Sequence, residues 1–365
     1  MKMRLFITFI SGIFMGMTTA PVNAWFLGWV ALAPLWVLVI QQEKYFDKFL
    51  LGLVWGIGYH GLALFWITGI HPMTWLGVPW LGSVAIAIFC WIFITLWGAI
   101  LVAIWAYLFG VLTPTSFSGK IFSFARVLLG ITLWCCLEKI WSLGSLWWTS
   151  LSLTQSNYNL VILHLSQLSG PITVTAAIVT VNALFGEGFI KAKLQEKKVD
   201  FRFFPLPSSS LGAHSLASAA DAGSHRFFLL PSSFFLPITT FLLFHIVGFS
   251  LYNIPLNPDS TTALKVGIIQ GNIPNEIKLN STGWYRALEG YTKGYKKLAD
   301  QNVDAVLTPE TALPFLWTNQ NNRRFLSFYQ AILDKKVVAW VGGYGKQDNN
   351  LTNSLLSIVN KLLEN

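Results

Sequence analysis

Long apolar stretches alternate with short polar breaks over the first 255 residues of the chain. No Asp, Glu, Lys or Arg occurs in residues 49–119, 140–186 or 227–258. Because a helix needs about 20 apolar residues to cross a bilayer, these stretches predict membrane-spanning helices. The breaks between them predict about seven spans, at 5–20, 24–40, 49–69, 81–109, 122–141, 160–186 and 234–252.

The first predicted span has a second interpretation. Residues 1–20, "MKMRLFITFISGIFMGMTTA", have a basic start, an apolar middle and a small-residue end, which is also typical of a signal peptide. Pro21 directly after Ala20 disfavours cleavage there, whereas "VNA" at 22–24 offers another site. Without cleavage, Pro21 and Asn23 indicate a tight hairpin between the first two spans. Both interpretations predict the same orientation.

Composition and charge support a membrane protein and orient it. Charged residues make up 11% of the chain, against roughly 25% in soluble domains. Lys and Arg gather in alternate loops, which predicts a cytoplasmic N-terminus and an extracytoplasmic segment after about residue 255. The net charge of +9 suits anionic lipid rather than nucleic acid. The basic residues behind this orientation are Lys2, Arg4, Lys44, Lys48, Lys120, Arg126, Lys191, Lys193, Lys197, Lys198, Arg202 and Arg226.

The domain organisation follows from a change of composition along the chain. Residues 1–255 predict a transmembrane helical domain, within which residues 190–233, rich in Ser and Ala with flanking prolines, predict a flexible cytoplasmic insert. From about residue 262, charged residues return at a soluble density. Here "ALKVGIIQGNI", "DAVLTPE", "VVAWVGGYG" and "LTNSLLSIVN" predict strands, the last two joined by a hairpin. "GWYRALEGYTKGYKKLADQ" and "RRFLSFYQAILDKK" predict helices between them, so residues 262–365 predict an α/β domain.

Candidate chemistry gathers at the ends of two of these strands. In α/β sheets, ligands bind beyond the carboxyl ends of the strands. Glu310 follows the strand in "DAVLTPE", and Gln270 and Asn272 follow the first strand. Two roles are open for Glu310 on this evidence. It is either a functional carboxylate or a surface group that caps the next segment or pairs with a lysine.

Several motifs together resemble those of the apolipoprotein N-acyltransferases. The "QGNIP" and "PETALP" motifs, followed by "VVAWVGGY", are similar to that family's nitrilase-like domain, which is an αββα sandwich. "APVNAWFLGWVALAPLWVLV" resembles the family's opening hairpin, "WWTSLSLTQ" its outer loop, and "VNALF" its sixth span. The resemblance covers the chain except residues 190–233.

The resemblance implies an acyl transfer in the bacterial plasma membrane. The acyl chain of a phospholipid passes to a Cys thiolate and then to the N-terminal diacylglyceryl-cysteine of an apolipoprotein, without metal or cofactor. Glu310 matches the Glu of the family's Glu-Lys-Cys triad and would be the general base. Trp148 and Gln155 match the outer-loop motif and would contact lipid, although Trp148 also suits interface anchoring. Gln270 and Asn272 would contact substrate.

The sequence departs from the family at the other two triad members. The family's Lys motif, Tyr-x-Lys-x-His-Leu-Val-Pro-Phe-Gly-Glu, does not occur in these 365 residues. The three cysteines, Cys90, Cys135 and Cys136, all fall in predicted spans. The sequence therefore predicts an incomplete nitrilase-like domain that does not complete acyl transfer alone. The alternative is a non-catalytic membrane protein whose outer domain only binds, or is completed by a partner, in transport or lipoprotein handling.

One further carboxylate, Glu138, lies near the outer end of the fifth predicted span. Acidic residues inside membranes are usually functional. The adjacent Lys139 and the nearness of the interface make a structural role an equal alternative.

Overall fold

The computed structural model of the chain describes residues 1–113, 120–156, 158–202, 232–255, 263–278, 280–316, 326–348 and 350–359. The chain divides into two compact units. The first comprises Met1–Thr68 and Ala87–Ile254, and the second comprises Gly69–Ile86 and Pro255–Asn365. Most of the predicted insert lies outside the described residues.

In the described residues before 255, the secondary structure consists of helices. Short 3₁₀ segments at Trp25–Trp29, Phe65–Ile70, Thr74–Leu76, Leu151–Gln155 and Ser232–Phe234 connect them. The helices are α1 (Lys2–Gly16), α2 (Ala33–Gln41), α3 (Tyr45–Ala63), α4 (Trp80–Leu112), α5 (Lys120–Trp141), α6 (Leu160–Leu163), α7 (Ser166–Ser169), α8 (Ile172–Arg202) and α9 (Phe235–Tyr252).

Within the described part of the chain, three helices are long and apolar enough to cross a membrane, namely Trp80–Leu112, Ile172–Lys193 and Phe235–Tyr252. They define an α-helical membrane domain. The sixth predicted span differs from the structure at both ends. It begins at Ile172 instead of 160, because Gly170 (φ 79°) and Pro171 interrupt the preceding helical turns. It also continues through residues 190–202, which the sequence assigns to the flexible insert.

The second predicted span is a broken helix. The 3₁₀ segment Trp25–Trp29 gives way to the nine-residue α2, whose N-cap residue Leu32 offers no side-chain cap. Asn182 of α8 caps it instead, since its Oδ1 accepts hydrogen bonds from the backbone N–H groups of Leu32 (2.8 Å) and Ala33 (3.0 Å). Its Nδ2 donates to the carbonyl of Gly28 (2.8 Å). A helix can break inside a membrane only where neighbouring groups satisfy the freed backbone in this way.

Tryptophans form the centre of the membrane domain. Trp36, Trp55, Trp105 and Trp134 are fully buried. Each indole N–H has an acceptor, on Glu187, Ala31, Gly130 and Glu138 respectively. A buried Trp needs such a partner to offset desolvation of its N–H. Three of these hydrogen bonds join different segments: α2 to α8, α3 to the residues before α2, and α4 to α5. The fourth lies within α5.

The second unit contains a five-stranded sheet. Its strands are β1 (Val266–Ile268), β2 (Ala305–Leu307), β3 (Leu313–Leu316), β4 (Val338–Gln347) and β5 (Asn350–Ile358). β1, β2 and β4 are parallel neighbours, β3 pairs in parallel with the distal half of β4, and β5 pairs antiparallel along β4. The predicted strands and the β4–β5 hairpin are confirmed, whereas β3 was not predicted. The helices of this unit are α10 (Asn275–Lys278), α11 (Ser281–Ala299) and α12 (Ser327–Lys335).

The two faces of the sheet differ in burial. One face packs against α11 and α12, where Tyr295 and Phe328 are fully buried. The Tyr295 hydroxyl donates to the carbonyl of Val337 (2.6 Å), and burial raises the pKa of Tyr295 to about 12. The opposite face carries apolar side chains in the open, with Ile268 72% and Leu355 64% exposed. The structure thus confirms a membrane domain joined to an α/β domain.

Candidate functional site

Glu310 lies three residues beyond β2, at the carboxyl end of the parallel strands, as the sequence predicted. The strand is followed by Thr308, whose N–H donates to the carbonyl of Trp340 (2.9 Å) and whose hydroxyl accepts from the N–H of Gly342 (3.1 Å). These bonds to β4 continue the pairing of β2 up to Pro309. The chain segment that carries Glu310 is therefore fixed to the sheet.

The residue after Glu310 has a strained backbone. Thr311 has a φ of 51°, in the left-handed region that β-branched residues rarely adopt. Such conformations cost of order 1–3 kcal/mol and persist only where the surroundings impose them. Here the surroundings include a hydrogen bond from the Thr311 hydroxyl to Asn353 Oδ1 (3.3 Å). The strain turns the chain sharply, so that the Glu310 side chain stays at the edge of the sheet.

Asn353 of β5 holds the Glu310 carboxylate. Its Nδ2 donates to Glu310 Oε1, and its Oδ1 accepts from Thr311, so one side chain orients two consecutive residues. Glu310 is exposed, and Asn353 is its only hydrogen-bond partner among the described residues. A carboxylate can accept about four hydrogen bonds. Oε2 therefore remains able to accept a proton from an incoming group.

Gly342 of β4 lies directly beneath this turn. A Cβ added at Gly342 would overlap the carbonyl oxygen of Pro309 and would lie 3.0 Å from Glu310 Cα. The glycine thus permits the backbone approach that brings Glu310 over β4.

Replacing Gly342 with Ala is expected to displace the Glu310 turn. Such overpacking typically costs 1–3 kcal/mol, measured as a loss of free energy of unfolding. Gly290→Ala is the matched control, because a Cβ at Gly290 meets nothing within 4 Å in α11. Since Ala favours helix over Gly by about 1 kcal/mol, that variant should be no less stable than the parent. Equal stability of both variants would contradict the close approach.

The other two strand-end residues lie on the same edge of the sheet but do not contact Glu310 in any hydrogen bond among the described residues. Gln270 and Asn272 are exposed, and Gln270 Nε2 donates to Asn272 Oδ1 at 3.4 Å. Asn272 has a φ of 48°. Ile268 of β1 pairs with Leu307 of β2, so the parallel register brings the exits of both strands together.

The two outer-loop candidates occupy different environments. Trp148 is 45% exposed and its ring lies 6.0 Å from that of Trp66. Gln155 is fully buried. Its Oε1 accepts from Trp29 Nε1 (3.0 Å) and Asn159 Nδ2 (2.9 Å), and its Nε2 donates to the Trp25 carbonyl and to Thr154 Oγ1. Every hydrogen-bonding position of the Gln155 amide is therefore filled from within the protein.

The cysteines lie on membrane-domain helices, Cys90 on α4 and Cys135 and Cys136 on α5. An open cavity of about 390 Å³ lies beside α1, α3 and α4. Its walls are almost entirely apolar and include Phe9, Leu62 and Trp91. The Thr95 hydroxyl borders this cavity and has no hydrogen-bond partner among the described residues.

The fold and the site together define a class of protein: a helical membrane domain joined in one chain to an α/β domain with an oriented carboxylate at a strand end. Residues 11–184 match the family model of the apolipoprotein N-acyltransferase N-terminal domain. Proteins named apolipoprotein N-acyltransferase are similar to this chain over nearly all of its length. By sequence, this chain is therefore similar to the apolipoprotein N-acyltransferase family.

Three relatives show the extent of the similarity. The protein from Nostoc sp. is 47% identical over 352 residues, that from Synechocystis sp. is 40% identical over 359, and that from Thermosynechococcus vestitus is 33% identical over 341. These matches cover 94%, 94% and 93% of this chain. They cover 61%, 64% and 57% of the three relatives, so the chain spans less than two thirds of the length of each.

Sequence reasoning missed the residues that hold Glu310 in place. Asn353 lies 43 positions away and is the middle one of three consecutive polar residues, 352–354, in β5. No local signal marks it. Gly342 carried a weak signal, since "VGGYG" places glycines inside a predicted strand, which indicates a close backbone approach.

Proposed function

We propose that this chain supplies the membrane domain and the base-bearing part of the outer domain of an apolipoprotein N-acyltransferase. The reaction would move an acyl chain from a phospholipid to the N-terminal diacylglyceryl-cysteine of an apolipoprotein. The observation that carries the proposal is the Glu310 turn, where Asn353 orients a carboxylate beside the strained Thr311. The names of the relatives support the same activity.

The geometry suits Glu310 to proton transfer. In the first half of the reaction it would take the proton of a thiol, because the thiolate is the nucleophile. In the second half it would take a proton from the attacking amine. The hydrogen bond from Asn353 to one carboxylate oxygen fixes the side chain, and the other oxygen would take the proton. The remaining triad members, a Lys and a Cys, are implied by the resemblance, and we assign only the base to this chain.

The membrane domain would bind the lipid donor. The cavity beside α1, α3 and α4 is apolar and open, which suits an acyl chain better than a polar molecule. Gln270, Asn272 and Trp148 are exposed and would contact substrate. Gln155, whose amide is saturated, would contribute by fixing the outer loop.

We further propose seven spans in the plasma membrane, with the N-terminus in the cytoplasm. The loops rich in Lys and Arg support this orientation. A reporter that is active only outside the cytoplasm should be active when fused after residue 260. The same reporter fused near Lys197 should be silent, and a cytoplasmic reporter should show the reverse. An extracytoplasmic reporter that is active near Lys197 and silent after residue 260 would contradict the proposed orientation.

An acylation assay tests the proposed activity. The chain would be fused to the part of the Nostoc relative that the match does not cover, then given phospholipid and a diacylglyceryl-cysteine peptide. The fusion should form N-acylated peptide. The 365-residue chain alone should form neither product nor thioester, because its only cysteines lie on α4 and α5. A folded fusion that binds lipid but forms no product would favour a non-catalytic membrane protein. Product formation by the 365-residue chain alone would contradict the proposal that this chain supplies only the general base of the triad.

A further inference from the structure

The outer loop between α5 and α8 has an inverted distribution of polar and apolar side chains. Between residues 148 and 160, most of the described Ser, Thr, Asn and Gln residues face inward: Thr149, Ser152, Thr154, Gln155 and Asn159 are buried, and Ser150 and Ser156 are half-buried. The apolar and aromatic residues of the same segment point outward. Trp148 is 45%, Leu153 49%, Tyr158 63% and Leu160 52% exposed, and Leu151 is the buried exception. A loop surrounded by water has the opposite pattern.

Glu138 of α5 is the first anchor of this loop. It is 3% exposed and accepts four hydrogen bonds. The Ser150 and Thr175 hydroxyls donate to Oε1 at 2.5 Å and 2.8 Å, and the Trp134 indole and the Leu151 N–H donate to Oε2 at 3.0 Å and 3.5 Å. These bonds tie the loop to α5 and α8. Among the described residues no Lys or Arg forms an ion pair with Glu138.

Two further contacts complete the inward side. Tyr59 of α3 donates its hydroxyl to the carbonyl of Thr149 (3.1 Å), and His60 Nδ1 lies 2.8 Å from Thr149 Oγ1. At the other end of the loop, the saturated amide of Gln155 binds the loop to Trp25 and Trp29. The buried polar side chains of residues 149–159 are thus satisfied within the protein, as an apolar surrounding requires. Beside them, Trp147 Nε1 and His60 Nε2 have no hydrogen-bond partner among the described residues.

We propose that this outer loop is a lipid-contacting element, embedded in the outer leaflet and held rigidly by Glu138 and Gln155. The molecules that contact its outward side chains are the acyl chains of membrane lipids. Three observations identify it: the outward apolar side chains, the saturation of the inward polar groups, and the absence of charge from residue 140 to 186. The inference concerns the loop itself and does not depend on acyl transfer.

The geometry also assigns Glu138 a positioning role rather than a role in proton transfer. The two donors at Oε2 are N–H groups, which only donate, whereas the two groups at Oε1 are hydroxyls, which donate or accept. A glutamine can therefore place its oxygen toward Trp134 and Leu151 and its NH₂ toward Ser150 and Thr175. Glu138→Gln should keep the anchor, and Glu138→Ala should lose it.

Spin labels test the lipid contact in the 365-residue chain, reconstituted in phosphatidylglycerol–phosphatidylethanolamine nanodiscs. The native cysteines are replaced by Ala, and labels are attached at Trp148→Cys or Leu153→Cys. Oxygen, which concentrates in lipid, should relax both labels several-fold more than a water-soluble nickel chelate. Tyr285→Cys is the control, since Tyr285 is 76% exposed on α11 of the α/β unit. There the nickel chelate should act more strongly. Stronger nickel relaxation at both loop positions would overturn the proposal.

The mobility of the label at position 148 tests the anchor. Glu138→Ala should sharpen its spectrum, Glu138→Gln should leave it unchanged, and the neighbouring exposed Lys139→Ala should also leave it unchanged. If Glu138→Ala does not fold, the test uses Ser150→Ala and Thr175→Ala instead. Each of these variants removes one hydrogen-bond donor to Glu138. Unchanged mobility in both hydroxyl variants or in Glu138→Ala would overturn the anchor. A Gln variant as mobile as the Ala variant would overturn the hydrogen-bonding account in favour of a role for the charge.

Discussion

Glu310→Gln is expected to abolish N-acylation in the fusion that completes this chain with the uncovered part of the Nostoc relative. Gln has nearly the shape of Glu, and its oxygen can still accept the hydrogen bond from Asn353. The variant therefore keeps the turn and loses only the ability to take up a proton. A general base contributes 10²–10⁴-fold to a rate, so the rate of product formation should fall by about that factor.

The controls separate lost chemistry from lost structure. Glu289→Gln changes another exposed carboxylate of the same unit, one that pairs with Lys293 on the surface of α11. It should leave the acylation rate unchanged. The unfolding temperature of Glu310→Gln should match that of the parent. Turnover of the Glu310→Gln fusion within a few-fold of the parent would refute the general-base role.

Sequence reasoning located Glu310 because its signal is local. A buried apolar strand, a proline and a carboxylate follow one another within seven residues of "AVLTPET", and the strand-end rule then assigns the site. What holds the glutamate there is not local. Asn353 reaches it through β5, and Gly342 through β4, so both contacts depend on the register of a sheet that only the folded chain defines.

The membrane domain shows the same division. Apolar length predicts helices at α4, α8 and α9, because burial of a helix in lipid depends on a continuous run. The sequence pattern assigns the break before α2 to the interior of one span, since Trp, Leu and Val continue through it, although Pro34 in the first turn of α2 is a signal for a helix start. Its cap comes from Asn182, about 150 positions along the chain. A single Asn in an apolar helix signals a hydrogen bond, but not with which partner.

The same kind of distant polar contact supports the second large expected effect, which concerns the ion pair between Arg126 of α5 and Glu187 of α8. The guanidinium donates to both carboxylate oxygens, from Nε at 3.0 Å and from NH2 at 2.6 Å, and the side chains are only 15% and 8% exposed. Ser123 and Trp36 also donate to Glu187, at 2.6 Å and 3.2 Å. Glu187 therefore joins α2, α5 and α8 through one carboxylate.

Glu187→Ala is expected to lower the free energy of unfolding of the membrane domain by about 3–5 kcal/mol. The substitution removes the carboxylate that pairs with the buried Arg126 charge. It also removes the hydrogen-bond acceptor of Ser123 and Trp36. Denaturation in detergent micelles, followed by Trp fluorescence, measures the loss. Glu289→Ala, which breaks an exposed pair, is the control and should change nothing measurable. The double variant Arg126→Ala with Glu187→Ala should be more stable than Glu187→Ala alone, since it removes the charge along with its partner. The loss in the double variant, relative to the parent, could instead equal the sum of the losses measured for Arg126→Ala and Glu187→Ala separately. That result would show that the pair acts through packing instead of charge.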